Sequence, residues 1–358
     1  STFFFRRHCM KKKNRICYSG IGGQAVLEGI MMKNKDKYAV AVRKPNKEIE
    51  VEVDTYHSLI HGSKVKELPF IRGVFNFIDS MVLGMKCLNY SASFYEEEEE
   101  KETKTDKVFS KVFKDRADKI IMGLTTIISF VIAIGIFFIL PMLITSLFHK
   151  FIRNSVLEAA IEGLIRILIF LGYVVLISLM KDIRRVYQYH GAEHKCINCI
   201  ESGKELTVQN VMKSSRLHRR CGTSFLLFVV VISIILFFFI RVDSILLKIV
   251  YRVLLIPIIA SVSYEIIRLA GKYDNNITRV VSLPGMLLQK LTTKEPDRAM
   301  VEVAIVAVEA VFDWKKYIND NFTKKEEKEA FEKEMAEVGE AENVDTTDVE
   351  VINLDEDN

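Results

Sequence analysis

Long apolar stretches fill the middle of the chain, and shorter-range patterns flank them on both sides. No charged residue occurs from Ile120 to Phe148, a run long enough to cross about 30 Å of hydrocarbon, with Pro141 as a natural kink. A second stretch, Leu157 to Met180, carries Glu158, Glu162 and Arg166 in its first half, so its early turns must face other helices or the interface. The third, Gly222 to Ile240, is bracketed by Arg220 and Arg241 and is nearly pure Leu, Ile, Val and Phe, the clearest lipid-facing pattern of the set. The fourth, Ile245 to Ile267, contains Arg252, Pro257 and Glu265 and is the weakest simple span. Ionisable residues inside spans cannot meet lipid unpaired, so Arg166, Arg252 and Glu265 are expected in ion pairs or lining a site.

Ahead of the spans, YAVAVR (Tyr38 to Arg43) and EIEVEVD (Glu48 to Asp54) alternate apolar and polar around Pro45-Asn46, which predicts a β-hairpin. Gly22 to Met32 (GGQAVLEGIMM) lacks the Lys-Ser/Thr of a phosphate-binding loop and reads as a turn before that hairpin. Residues 68–94 are apolar at helical spacing but interrupted by Arg72, Asp79 and Lys86, which suits an interfacial amphipathic helix. Beyond the spans, Pro296-Asp297 followed by helix formers marks a soluble helix start. The fold class expected is a mostly α membrane protein with about four transmembrane helices, a small N-terminal cytoplasmic region containing a β-hairpin, and a soluble C-terminal helix. The boundaries are 1–19 for a basic extension, 20–67 for the hairpin region, 68–117 for the interfacial helix and a charged linker, 118–270 for the membrane domain with a loop at 181–221, 271–322 for a C-terminal cytoplasmic segment and helix, and 323–358 for an acidic disordered tail.

Charge then orients this frame. The formal charge of +4 hides a basic start and an acidic end. A basic start suits anionic lipid or a solvated surface, and no specific nucleic-acid motif accompanies it. The connection between the second and third stretches holds Lys181, Arg184, Arg185, Lys195, Lys204, Lys213, Arg216, Arg219 and Arg220, whereas the other two hold only Lys150 with Arg153 and Arg241 with Lys248. The positive-inside rule puts the basic loop in the cytoplasm, and an even number of spans puts both termini there too, in a multi-pass protein of the plasma membrane. The run Phe3 to Phe5 is too short for the core of a secretory signal, and Met10 reads as a natural start after an upstream extension. Six scattered cysteines do not form a secreted disulfide framework, so reduced thiols are expected.

The basic loop also carries the candidate chemistry. In YHGAEHKC, residues 189–196, His190 and His194 lie four apart and share one face if the helix leaving Met180 continues, with Glu193 beside them. Two imidazoles at this spacing suit one zinc or another divalent ion, and a neighbouring carboxylate suits proton removal from water. His-x-x-Glu-His is the order of the inverted zincins. A further ligand is needed, and His218 or Cys221 in HRRCGTSF can supply it, with Glu201 and Glu265 as other sources. A closed site of Cys196 and Cys199 with the two histidines is the competing arrangement, and ordinary interfacial polar residues are the third. Gly191 and Ala192 let a neighbouring backbone approach closely, or Gly191 breaks the helix into a turn.

GGQAVLEGIMM (22–32), PFIRGV (69–74), YHGAEHK (189–195), HRRCGTSF (218–225), SYEIIRLAGK (263–272) and PGMLLQKLTTKEP (284–296), in that order, resemble the YqhQ-like family of bacterial multi-span membrane proteins. The resemblance covers roughly residues 20–312 and implies a predicted metal-dependent enzyme of uncharacterised activity. It carries His190, Glu193, His194, His218, Cys221 and Glu265 over by position and leaves Cys196 and Cys199 outside the pattern. Arg219 stands where the family pattern has proline.

Together these readings imply a cytoplasm-facing metal site at the bilayer boundary. His190 and His194 bind zinc or another divalent metal, His218 or Cys221 completes the shell, and Glu193 activates water in a hydrolase acting on a membrane-associated substrate. The competing function is a non-enzymatic scaffold or assembly factor whose basic loop contacts membrane proteins, a ribosome or a translocon. The oligomeric state is not written in the pattern. Transport ranks last, since no broken-helix repeat is evident.

Overall fold

The computed structural model describes residues 17–58, 68, 71–95, 123–148, 154–240, 242, 244–272 and 276–322. The basic extension through residue 16, most of the charged linker, and the acidic tail lie outside the described residues.

Residues 22–55 form a four-stranded antiparallel meander, β1 (Gly22–Val26), β2 (Gly29–Asn34), β3 (Lys37–Arg43) and β4 (Ile49–Thr55), ordered as in the sequence. The expected hairpin is β3–β4, with Arg43 opposite Ile49. Residues 22–32, read above as a turn, are instead β1 and most of β2. The physical reason is that β2 and β3 are covered on both faces, so the alternation of their side chains runs between two cores rather than between core and water. Ile30, Met32, Ala39 and Ala41 enter one core, whereas Met31, Tyr38, Val40 and Val42 enter the other. Gly29 permits this tightness, because a Cβ there would overlap the Ala41 carbonyl oxygen.

The first core is closed by α4 (Lys181–Glu201) and α9 (Arg298–Glu309), with Tyr189, Ala192, Cys196, Met300 and Ala304 buried against the sheet. Asp297 caps α9 by accepting the Met300 N–H at 2.8 Å, as the Pro-Asp start predicts. A five-residue helix α5 (Val208–Met212) and α10 (Trp314–Phe322) complete this layer. The second core is closed by α1 (Ile71–Ala92) through Leu83 and Cys87. The three charges that interrupt α1 in sequence all have partners: Arg72 pairs with Glu265 at 2.5 Å, Asp79 accepts from Tyr56 at 3.3 Å and from Ser58, and Lys86 pairs with Asp54 at 2.7 Å.

Among the described residues three helices are long and apolar enough to cross a membrane: α2 (Gly123–Leu147), α3 (Ser155–Ser178) and α7, whose apolar part spans Ile245–Ala270 of Ile245–Lys272. Their outward faces carry exposed Ile127, Val131, Leu164, Leu176, Leu246 and Leu254, the surface expected against lipid. The third apolar stretch forms α6 (Thr223–Phe238), of 16 residues. At 1.5 Å per residue that is about 24 Å, short of a bilayer core. The fourth stretch, which looked weakest, gives the long helix α7. Arg252 within it is paired inside the bundle, as required of a charge at that depth. Arg166 and Arg252 share Glu162 (2.6 and 2.8 Å), donate to the Phe137 and Phe138 carbonyls, and stack against the Phe237 ring. Those two carbonyls belong to a π-helical segment of α2, Gly135–Ile139, where the widened turn leaves backbone acceptors for side chains.

An amphipathic helix α8 (Asn276–Thr292) packs against α6 and returns the chain to the sheet layer, turning Ile277, Val280, Leu283 and Leu287 outward. Cys87, Cys196, Cys199 and Cys221 are free thiols, as expected, whereas Cys17 is disulfide-bonded.

Candidate metal centre

The helix that leaves Ser178 restarts at Lys181 and runs without a break through Gly191 to Glu201, so Gly191 is helical and not a turn. His190 and His194 therefore sit one turn apart on one face, their ring centroids separated by 4.4 Å. His190 Nδ1 lies 3.0 Å from the Thr292 carbonyl oxygen and His194 Nδ1 lies 2.7 Å from that of Arg216. A carbonyl only accepts, so each ring carries a proton on Nδ1, and Nε2 is the nitrogen that a metal ion would use. His190 Nε2 stands 3.1 Å from Cys221 Sγ, and the ligand atoms of His190, His194 and Cys221 all lie within 4.8 Å of one another. His194 Nε2 is buried and has no hydrogen-bond partner among the described residues. Burial pushes its ring towards the neutral form, and the nearby Cys221 sulfur opposes this only in part. Such an orphaned acceptor costs about 1–3 kcal/mol unless something occupies it.

Cys221 stands two residues ahead of α6, where Thr223 N–H donates to its sulfur at 3.4 Å and Thr223 Oγ1 lies 3.1 Å away. Two imidazole nitrogens and one sulfur suit zinc, and three protein ligands are the number that catalytic zinc centres use. Imidazoles whose far nitrogens are pinned by carbonyls are the usual way of aiming such ligands. The donor set therefore fits the ion that the sequence implies.

Glu193 lies behind the pair, 5 % exposed, and accepts the Gly23 backbone N–H. Its Oε2 is buried without a partner among the described residues. Burial raises its carboxyl above the usual range, opposed by His190 and by the Gly23 N–H. A Cβ at Gly23 would lie 3.1 Å from Glu193 Cδ and 2.6 Å from Met32 Sδ, so the first strand passes this close only as glycine.

His218 stands apart from the trio. Its ring is 5.6 Å from that of His194, but its Nε2 faces Glu201 at 3.5 Å, and Gln289 holds its backbone through bonds of 2.9 and 2.7 Å. Glu201 also accepts from Ser19 and Arg220, so it is taken up in an ion cluster and is not directed at the trio. Burial alone would raise the Glu201 carboxyl, but His218 and Arg220 outweigh it and hold the group below the usual range. Glu265, another candidate ligand, is held by Arg72 and Arg268. Cys196 faces the sheet core, where burial pushes its thiol well up, and neither it nor Cys199 joins the trio.

A strap, residues 292–295, encloses the centre. It supplies the Thr292 carbonyl to His190, and Lys294 N–H donates to the Tyr187 carbonyl at 2.8 Å. Glu295 pairs with Lys195 at 2.9 Å and with Arg216 at 3.2 Å, the residue whose carbonyl fixes His194. Gly191 is where the strap crosses α4, since a Cβ there would overlap the Lys294 carbonyl oxygen. The family model described as "Protein of unknown function (DUF1385)" matches residues 68–314. The chain belongs to the DUF1385 family. It is 35% identical over 296 residues to "Uncharacterized protein YqhQ" of Bacillus subtilis (strain 168), covering 79% of this chain and 89% of that relative. No solved structure matches. The DUF1385 match contains the trio, Glu193 and the strap, while Gly23 precedes it.

Sequence reasoning missed the parts of this DUF1385 centre that act through the backbone. Thr292 and Arg216 contribute carbonyls, which leave no mark on residue type. Gly23 and Gly191 did leave one, since glycines beside otherwise well-formed elements signal close backbone approach.

Proposed function

We propose that this DUF1385 protein is a membrane-bound, zinc-dependent hydrolase acting on a membrane-associated substrate. In this reading His190, His194 and Cys221 hold the ion and Glu193 is the proton acceptor. The observation that carries it is the buried His194 Nε2, without a hydrogen-bond partner among the described residues and grouped with His190 and Cys221 so that their ligand atoms lie within 4.8 Å of one another. Bound zinc supplies Lewis acidity to the group under attack. Glu193 supports hydrolysis because its Oε2, buried without a hydrogen-bond partner among the described residues, is an open acceptor on the helix that carries both histidines. Of the two alternatives for the third ligand, Cys221 is supported by its place beside the two histidines, while His218 Nε2 lies 3.5 Å from Glu201. The basic connection at 181–221 supports a cytoplasmic face for the centre, in the plasma membrane. The short connection between α6 and α7 supports their crossing as an antiparallel pair, which makes α6 a fourth, thin span and returns both termini to the cytoplasm.

The test is elemental analysis of the detergent-purified full chain. About one zinc per chain is expected, lost in His194→Ala and kept in Glu193→Gln, which removes only the proton acceptor. Absence of stoichiometric metal from the wild type, or unchanged content in both His190→Ala and His194→Ala, would overturn the reading.

A further inference from the structure

We propose that the cleft between α1 and α7 binds one acyl chain of an anionic phospholipid, whose phosphate meets Arg268 at the polar end of the cleft. This deepens the reading above by naming the class of membrane-borne substrate, and it rests on that reading for the lipid's role alone. The two helices cross at Gly73, where a Cβ would lie 2.9 Å from Ser261 Cα. Beside the crossing lies a cleft of about 520 Å³ lined by Ile71, Val74 and Phe75 of α1 and by Pro257, Ile258 and Val262 of α7. That volume falls within the range of about 300–1,000 Å³ typical of small-molecule sites. The α7 side lies inside the apolar window Ile245–Ala270, so hydrocarbon and not water is the solvent available to fill it. Ile71 and Ile258 are 39% and 50% exposed, which opens the cleft outward.

Towards the end of α7 that meets the sheet layer, Arg72 and Arg268 converge on Glu265. Both Nε and Nη2 of Arg72 are spent on that carboxylate at 2.5 Å, whereas Arg268 reaches it with one nitrogen at 3.7 Å and its side chain is 42% exposed. Among the described residues two guanidiniums stand against this one carboxylate, which leaves positive charge there, and the planar Arg268 fork suits a phosphate. On another side of α1, Phe77 packs its ring 5.2 Å from that of Phe225, four residues after Cys221.

The test uses the full chain carrying Trp314→Phe, so that an introduced tryptophan is the only one. Phe75→Trp reports the cleft, and Leu254→Trp reports an exposed lipid-facing site elsewhere on α7. Each protein is reconstituted in phosphatidylcholine vesicles containing brominated-chain phosphatidylglycerol or brominated-chain phosphatidylcholine. Quenching of Phe75→Trp should favour the phosphatidylglycerol about fivefold, the worth of one arginine against an anionic surface, and Arg268→Gln should remove the preference. Leu254→Trp should show none. Equal quenching by the two lipids at Phe75→Trp, an equal preference at both positions, or no quenching at Phe75→Trp overturns the proposal in favour of ordinary annular lipid. Zinc is measured on the same samples. A preference without zinc sinks the metal reading and leaves the cleft assigned, and zinc without a preference does the reverse.

Discussion

Glu201 shows how a single carboxylate can be diverted from chemistry to support. It is 2% exposed and surrounded by donors from Ser19, His218 and Arg220, while the Arg220 guanidinium stacks on Tyr18 at 4.3 Å. Its carboxyl is held below its ordinary value in the folded chain, so the folded state binds the proton less readily than the unfolded state does. The contribution of Glu201 to stability is therefore full above the unfolded value, near 4.5, and is lost as pH falls through the lower folded one. Glu201→Gln should destabilise the protein by about 1–3 kcal/mol at neutral pH, and the gap from wild type should narrow as pH drops below about 4. Thermal melts of both proteins across pH 3 to 7, about four units, check this; a gap independent of pH would contradict it. The spacing of His190 and His194 was legible because helix geometry alone puts residues four apart on one face. The choice of Cys221 over His218 was not, because both precede α6 and only the fold sends His218 to Glu201.

At the level of elements, the charged residues in the spans were legible as a pairing problem, but their solution was not. Glu162 and Arg166 are one turn apart and pair locally, whereas Arg252 reaches the same carboxylate from 90 residues away. Glu162→Gln would leave two buried guanidiniums facing each other beside the π-helical segment of α2. Breaking a buried ion group by removing one partner costs about 3–5 kcal/mol, so a lower melting temperature in detergent is expected. Replacing Arg166, Arg252 and Glu162 together with apolar residues of similar volume should recover most of that loss; a triple variant no better than Glu162→Gln would show that the network does more than pair charges. The sheet teaches a related lesson. β4 alternates as an edge strand should and was readable as a strand, whereas β1 and β2 were taken for a turn because β2 has apolar residues on both faces. A strand between two cores loses the polar half of its period.

For the molecule as a whole, apolar content predicted a membrane domain, and three helices have the length for it. The fourth crossing depends on α6, whose apolarity promised more than its 16 residues deliver. Local bilayer thinning accommodates a short span at a modest cost, so the crossing proposed for α6 has a direct check at the connection that follows it. Val242→Cys should react with a membrane-impermeant maleimide added to intact cells, against the background of the four buried thiols. Protection until lysis would put the connection on the same side as the candidate centre, so that neither α6 nor α7 crosses and two crossings remain.

The centre is assembled from chain segments far apart in time. Strands β1 to β4 are made first, α4 arrives after two membrane helices, and the strap and α9 come near the end of synthesis. Until residue 309 has left the ribosome, that apolar face of the sheet lacks the cover of α9, and until Thr292 has left it His190 lacks the carbonyl that turns it. A nascent chain stalled earlier would thus show quality-control machinery a greasy sheet tethered to the bilayer.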